Sequence, residues 1–196
     1  EWFTYHFEGV DQMTGRSLYT IDPEKVESAA SNGALVTING KDYTTVTSYA
    51  KKDWSGKALP PVYGAVTSNL TWKDLTLGMT FTYSLGGKIM DSGYSGLMSA
   101  SATSAGALHK DLLKSWNGVP EGMTETSPNR IDPNGIPAMD FYYSSDNNSG
   151  SDRWLTSASY LIFKNLYLSW NVPSKWVKTL GLQGLSLQGS VDNLFT

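Results

Sequence analysis

Between Leu75 and Leu85 the sequence alternates without a break. Leu75, Leu77, Met79, Phe81, Tyr83 and Leu85 occupy the odd positions, and Thr76, Gly78, Thr80, Thr82 and Ser84 the even ones. A period of two is that of a β-strand, whose successive side chains point to opposite faces. The run is as long as a tilted membrane strand, about 9 to 11 residues, and about twice the usual strand of a soluble sheet. Just before it, Val62, Gly64, Val66, Ser68, Leu70 and Trp72 alternate more loosely with Tyr63, Ala65, Thr67, Asn69 and Thr71, and Trp72-Lys73-Asp74 joins the two as a tight hairpin turn. Whatever the fold, this ribbon needs an apolar medium on one face and a polar one on the other.

Two more long strands are expected near the C-terminus. The first sets Tyr160, Ile162, Leu166, Leu168, Trp170 and Val172 on one face and Asn165, Ser169 and Asn171 on the other. Lys164 breaks that pattern, and Leu161 and Phe163 intrude on the polar face, so a bulge or a snorkelling lysine is needed to repair it. The second sets Leu185, Leu187, Val191 and Phe195 against Ser186, Gln188, Ser190 and Asp192. At the N-terminus, Phe3, Tyr5 and Phe7 alternate with Thr4, His6 and Glu8, a fifth candidate crossing. Shorter β pieces are predicted at Ser17 to Ile21, Leu35 to Ile38 and Tyr43 to Tyr49, with Asn39-Gly40 as a hairpin signal.

Composition removes whole classes of function. Only 17% of the residues are charged, the net charge is -3 and the pI is near 5.3, so nucleic-acid binding has no electrostatic footprint. Cys is absent, which excludes disulfides, zinc thiolates, iron–sulfur clusters and cysteine nucleophiles. His6 and His109 are the only imidazoles and lie far apart in sequence. No G-x-S-x-G elbow appears, nor paired carboxylates with a basic partner. The sequence therefore offers no catalytic residue, no metal centre and no cofactor site, and it reads as a non-enzyme. No apolar run reaches the roughly 18 residues of a membrane helix, which leaves β-barrels untouched.

From Gly86 to Ser157 runs a connection of roughly seventy residues rich in Gly, Ser, Asn and Pro, far beyond ordinary loop length. Within it, Leu108, Leu112, Leu113 and Trp116 at helical spacing predict one short amphipathic helix over Ala105 to Trp116. The long connections, Val10 to Leu59 and Gly86 to Ser157, contrast with the short ones at Trp72 to Asp74 and Pro173 to Leu182. Long loops on one side and short turns on the other are the habit of outer-membrane barrels. On the residues alone, the core of a soluble β-sandwich that binds carbohydrate through exposed aromatics is the competing reading.

Six blocks in order carry a family resemblance. They are Gly9-Val10-Asp11-Gln12-Met13-Thr14-Gly15-Arg16-Ser17-Leu18-Tyr19; Leu59-Pro60-Pro61-Val62-Tyr63-Gly64; Tyr83-Ser84-Leu85-Gly86-Gly87-Lys88; Leu108-His109-Lys110-Asp111 with Trp116; Asp152-Arg153-Trp154-Leu155 leading into Ser159-Tyr160-Leu161-Ile162-Phe163-Lys164-Asn165; and Asp192-Asn193-Leu194-Phe195-Thr196. Together they resemble the SusC-like (RagA-like) branch of the TonB-dependent outer-membrane transporters of Bacteroidetes. The resemblance implies an all-β fold: residues 1–196 form an antiparallel C-terminal segment of a transmembrane barrel of about 22 strands, with long extracellular loops and one loop helix. The plug domain and the closing strand are expected outside the chain. Counting five crossings, an odd number, leads to the same expectation, because single-chain bacterial barrels have even counts.

The implied function is import of a nutrient, a glycan or an oligopeptide, across the outer membrane of a Gram-negative bacterium. The implied partners are the rest of the barrel and plug, a SusD-like surface lipoprotein, the TonB complex, outer-membrane lipid and the substrate. Candidate ligand or partner contacts are Tyr94, His109, Trp116 and Trp154, although packing of the loop against the barrel rim accounts for Tyr94, Trp116 and Trp154, and a solvated helix face for His109. Asp146-Asn147-Asn148-Ser149-Gly150-Ser151-Asp152 has oxygens enough for calcium but lacks the Glu and spacing of an EF-hand, so it reads as a polar loop.

Overall fold

The computed structural model describes residues 1–99, 106–140, 142–179 and 181–195. It is mostly β, made of antiparallel sheets with a few short helices. No described helix is long and apolar enough to cross a membrane. The chain divides into two units, Glu1–Lys57 with Ile89–Thr156, and Ala58–Lys88 with Ser157–Thr196.

In chain order the first unit opens with β1 (Phe3–Tyr5), β2 (Phe7–Asp11), β3 (Ser17–Thr20), helix α1 (Val26–Ser31), β4 (Leu35–Ile38), β5 (Lys41–Thr44) and β6 (Lys52–Trp54). The long strands β7 (Val62–Trp72) and β8 (Leu75–Leu85) follow, then β9 (Lys88–Met90), α2 (Ser92–Met98), β10 (Ile131–Asp132), α3 (Ser144–Asn147), β11 (Leu155–Ser157), β12 (Tyr160–Asn171), α4 (Ser174–Thr179) and β13 (Ser186–Phe195).

The first unit holds a five-stranded sheet of order β10-β2-β3-β5-β4 and a separate pair of β1 with β6. Asn39-Gly40 turns β4 into β5 as its sequence requires. The strand expected over Tyr43 to Tyr49 is shorter, because Thr47–Tyr49 closes into a 3-10 turn. Buried cores form around Leu18, Ile38 and Tyr43, around Ile21, Ala29 and Ala34, and around Met98, Leu112 and Trp154. Two expectations fail here. The N-terminal alternation is not one long strand: β1 pairs with β6 and β2 with β3, so two short strands replace it, and of the five long strands expected as crossings four are present among the described residues. The helix predicted over Ala105 to Trp116, whose first residue lies outside the described residues, is a 3-10 segment over Lys110–Lys114 only. Leu112 is buried while Leu113 is 90% exposed, so the apolar spacing does not mark one buried helical stripe.

The second unit is a four-stranded antiparallel sheet of order β13-β12-β8-β7, its strands 10, 12, 11 and 11 residues long. Lys73-Asp74 is the two-residue turn between β7 and β8. Register fixes the faces. Leu75, Leu77, Met79, Phe81 and Tyr83 sit opposite Trp72, Leu70, Ser68, Val66 and Gly64 on one side, and opposite Trp170, Leu168, Leu166, Phe163 and Leu161 on the other. Leu187, Val191 and Phe195 of β13 extend the same face.

Lys164 is an extra residue at which the ladder shifts. A bulge reverses the alternation beyond it. Leu161 and Phe163 therefore join the apolar face, and Tyr160 and Ile162 the polar one, opposite to the facing expected from simple alternation. Lys164 Nζ donates to Asn193 Oδ1 at 3.0 Å. Phe81 and Phe163 stack at 4.3 Å, and Phe195 meets Phe163 edge-on.

The other face is laced with hydrogen bonds. Thr67 meets Thr80, Thr71 meets Thr76, and Asn165 donates to Asp192. The Tyr167 hydroxyl reaches across β8 to Asn69 Oδ1 at 3.0 Å. It crosses over Gly78, where a Cβ would lie 2.0 Å from the ring. The apolar face has no such bonds and is uncovered as the polar face is: Val66, Leu70, Trp72, Leu161, Leu168, Leu187, Val191 and Phe195 are each more than half exposed.

Candidate functional site

One of the open concavities of the first unit is a cleft of about 410 Å³. Phe7 of β2, Tyr94 of α2, Asp111 and Lys114 of the 3-10 segment, the Pro133–Ile136 turn, Arg153 and Trp154 line it. Its walls come from segments far apart in sequence, brought together by the core around Met98, Leu112 and Trp154.

Three of the four expected contact residues meet here. Tyr94 packs edge-on against His109 at 4.9 Å and against Trp154 at 5.9 Å, and its hydroxyl donates to Asp111 Oδ2 at 3.1 Å. Burial and the neighbouring Asp111 carboxylate both hold the Tyr94 hydroxyl above its ordinary pKa. His109 caps the 3-10 segment by accepting from the Asp111 N–H at its Nδ1. Trp154 is 3% exposed and donates its indole N–H to Ser149 O, so it is a wall of the cleft and not a free stacking platform.

Trp116 sits apart, in a neighbouring hollow of about 250 Å³ lined also by Gln12, Lys114, Asp132 and Asn134. Its indole N–H donates to Gln12 O at 2.9 Å. The ring lies on Gly15, which has φ +71° and would carry a Cβ only 2.3 Å from the indole. Both the left-handed backbone and the close approach demand glycine there.

That turn is anchored by an ion pair that sequence reasoning missed. Asp11, fully buried, accepts from Arg130 Nε at 2.8 Å and Nη2 at 3.1 Å, from the Met13 N–H and from the Thr14 hydroxyl. Burial alone would raise the Asp11 carboxyl, but the bonds from Arg130, Met13 and Thr14 outweigh it and hold its pKa below the usual range. The local signal was Asp-x-x-Thr-Gly at Asp11 to Gly15, and nothing local pointed to Arg130.

The acidic loop is a tether. Asp146 accepts from the Thr47 N–H and hydroxyl, Asn147 from the Ser17 N–H, and Asp152 from His6 Nδ1 at 2.7 Å and the Phe7 N–H at 2.8 Å. These side-chain oxygens are spent on the protein's own donors. Among the described residues no group of His, Asp or Glu is arranged to hold a metal ion.

Arg153 is the second residue the sequence reading passed over. Its guanidinium lies 5.0 Å from the Phe7 ring centre and 4.6 Å from that of Trp154. Its one hydrogen bond to described protein is a long one of 3.5 Å to Asn147 O.

No protein-family profile matches the sequence, and no curated protein matches it. Solved structures do. The chain superposes on chains from the "Structure of the RagAB peptide transporter" with TM-score 0.66 and 19% identity, over 99% of its own length. On the RagAB peptide importer in the closed-closed state the TM-score is 0.70 at 18% identity, and in the open-open state 0.63 at 18%, each over the whole chain. The chain spans about one fifth of those chains, 18 to 19% of their length. The likeness is one of fold.

Proposed function

We propose that the chain is a stretch of the wall of a SusC-like, TonB-dependent outer-membrane transporter, with β7, β8, β12 and β13 as membrane strands and the first unit as an extracellular elaboration. The observation that carries this reading is the sheet with one hydrogen-bonded polar face and one uncovered apolar face. Water outside and a protein core inside would demand the reverse economy. Lipid outside and a wet lumen inside match it, since outer-membrane barrels are apolar outward and polar inward. Trp72 and Trp170 lie at the tight-turn end of the apolar face, with Trp176 of α4 packed edge-on against Trp170 at 6.0 Å and Lys73 over the Trp72 ring. Aromatic side chains at that level suit a membrane–water interface.

The fold likeness to a peptide importer favours an oligopeptide cargo; the glycan alternative, a SusD-like lipoprotein as partner on the outside and energy drawn from the TonB complex rest on the resemblance carried by the six sequence blocks. A sandwich would require a second sheet over the apolar face, and among its described residues the second unit itself holds a single four-stranded sheet.

The test is a pair of substitutions in full-length protein folded into lipid vesicles. Phe81→Arg should cost about 2 to 4 kcal/mol if it lies near the bilayer midplane, and Thr80→Arg on the opposite face much less. Equal costs, or free solubility of the chain without detergent, would reject the membrane reading.

A further inference from the structure

The cleft of the first unit contains two cations and one carboxylate. Asp111 is already engaged by the Tyr94 hydroxyl and lies 3.3 Å from His109 Nδ1. Neither Arg153 nor Lys114 forms an ion pair among the described residues. The nearest acid in sequence to Arg153, Asp152, is turned away to His6 and the Phe7 N–H.

A guanidinium carries five N–H donors. Arg153 spends one of them, at 3.5 Å, and none of its nitrogens is among the sealed, unpartnered polar atoms of the described residues. Its open donors therefore reach solvent, and the cleft is the space that Arg153 lines. Burial holds the guanidinium below its ordinary pKa, a measure of how poorly water compensates its charge. The guanidinium lies over the Phe7 and Trp154 rings, which leaves its N–H groups as the polar part it can present to a ligand.

From this geometry we infer that the cleft binds a compact ligand through a carboxylate, Arg153 supplying the forked hydrogen bonds and Lys114 a second positive charge. A planar guanidinium edge matches a carboxylate in bidentate fashion. A phosphate dianion is disfavoured because Asp111 shares the cleft. The apolar remainder of the ligand has Phe7, Pro133 and Ile136 to lie against. The inference rests on the transporter reading only in treating the ligand as cargo. A peptide C-terminus and a uronic acid share this chemistry.

The experiment is binding calorimetry on the purified full-length transporter at low salt, with four probes: a tripeptide with a free C-terminus, its C-terminal amide, galacturonate and galactose. At least one acid should bind about tenfold or more tightly than its neutral counterpart, as expected for a charge-assisted hydrogen bond, and which acid does so names the source. Arg153→Gln should abolish that discrimination and Arg153→Lys should restore part of it. Because Arg153 also packs against two rings, the exposed Lys114→Gln serves as the second variant, with a several-fold weakening for acids alone. Equal binding of acid and neutral forms, no binding of any probe, inorganic phosphate displacing the acid more strongly than acetate does, or both Gln variants leaving discrimination intact would each overturn the inference. Membrane insertion is read separately by the Phe81→Arg and Thr80→Arg pair, so failure of one reading is distinguishable from failure of the other.

Discussion

Asp11 shows how one carboxylate organises a segment of this chain. Its folded pKa lies below the unfolded value of about 3.9. The stability it contributes is therefore complete above that pH and is lost as pH falls through the folded value. Asp11→Asn should flatten the acid limb of a urea-denaturation series followed by tryptophan fluorescence, with Trp116 on the same turn as the reporter. Arg130→Ala should cost about 3 to 5 kcal/mol, because it strands a buried charge. An unchanged acid limb in Asp11→Asn would show that the pair is not the titrating element. Little of this was legible beforehand. The Asp-x-x-Thr-Gly turn is local and announces itself, but Arg130 stands 119 positions away and only the fold brings it back. Arg153 was hidden for the same reason: Trp154 is its neighbour in sequence, but its other ring partner, Phe7, reaches it only once β2 and the 146–152 loop are tied together through Asp152.

At the scale of elements, the long strands could be read because their information is local. Period two assigns faces from a strand's own residues, and the Lys73-Asp74 turn fixed the register of β7 on β8. The Tyr160 to Asn171 strand could be read only in part, since a bulge changes which residues share a face and its effect depends on the neighbours' register. This predicts an asymmetry between deletions. Removing Lys164 leaves Phe163 and Asn165 adjacent and still on opposite faces, so the apolar and polar sets survive and only the bond to Asn193 is lost. Removing Leu168 from the regular ladder slips the remainder by one and turns Trp170 toward the polar side, because a one-residue slip flips every side chain. Folding into lipid vesicles, scored by heat-modifiable mobility on gels, should be nearly normal for the first deletion and largely lost for the second. Comparable yields would mean that the bulge does not set the facing of β12.

Over the whole molecule, composition misled where tertiary packing decides. The stretch from Gly86 to Ser157 has the residues of a loop, yet Met98, Leu112 and Trp154 form a buried core in it and Arg130 anchors Asp11 from it. Gly- and Ser-rich sequence hides such a core because few apolar residues suffice when side-chain-to-backbone hydrogen bonds tie the rest. Excising residues 96–135 therefore tests the two units separately. The excision removes Met98, Leu112, Arg130 and β10, so the first unit loses a core cluster and leaves Asp11 buried without its counter-charge. None of these residues belongs to the β7–β8, β8–β12 or β12–β13 ladders, whose backbone bonds are complete within the second unit. Limited trypsin digestion of the full-length protein in membranes, mapped by mass, should then show Lys25, Lys51 and Lys52 cut much faster than in the intact protein. Lys73 and Lys164 should keep their original rates. Unchanged cleavage at Lys51 and Lys52 would mean that the excised stretch is a dispensable loop after all, and accelerated cleavage at Lys164 would mean that the four-stranded sheet depends on it.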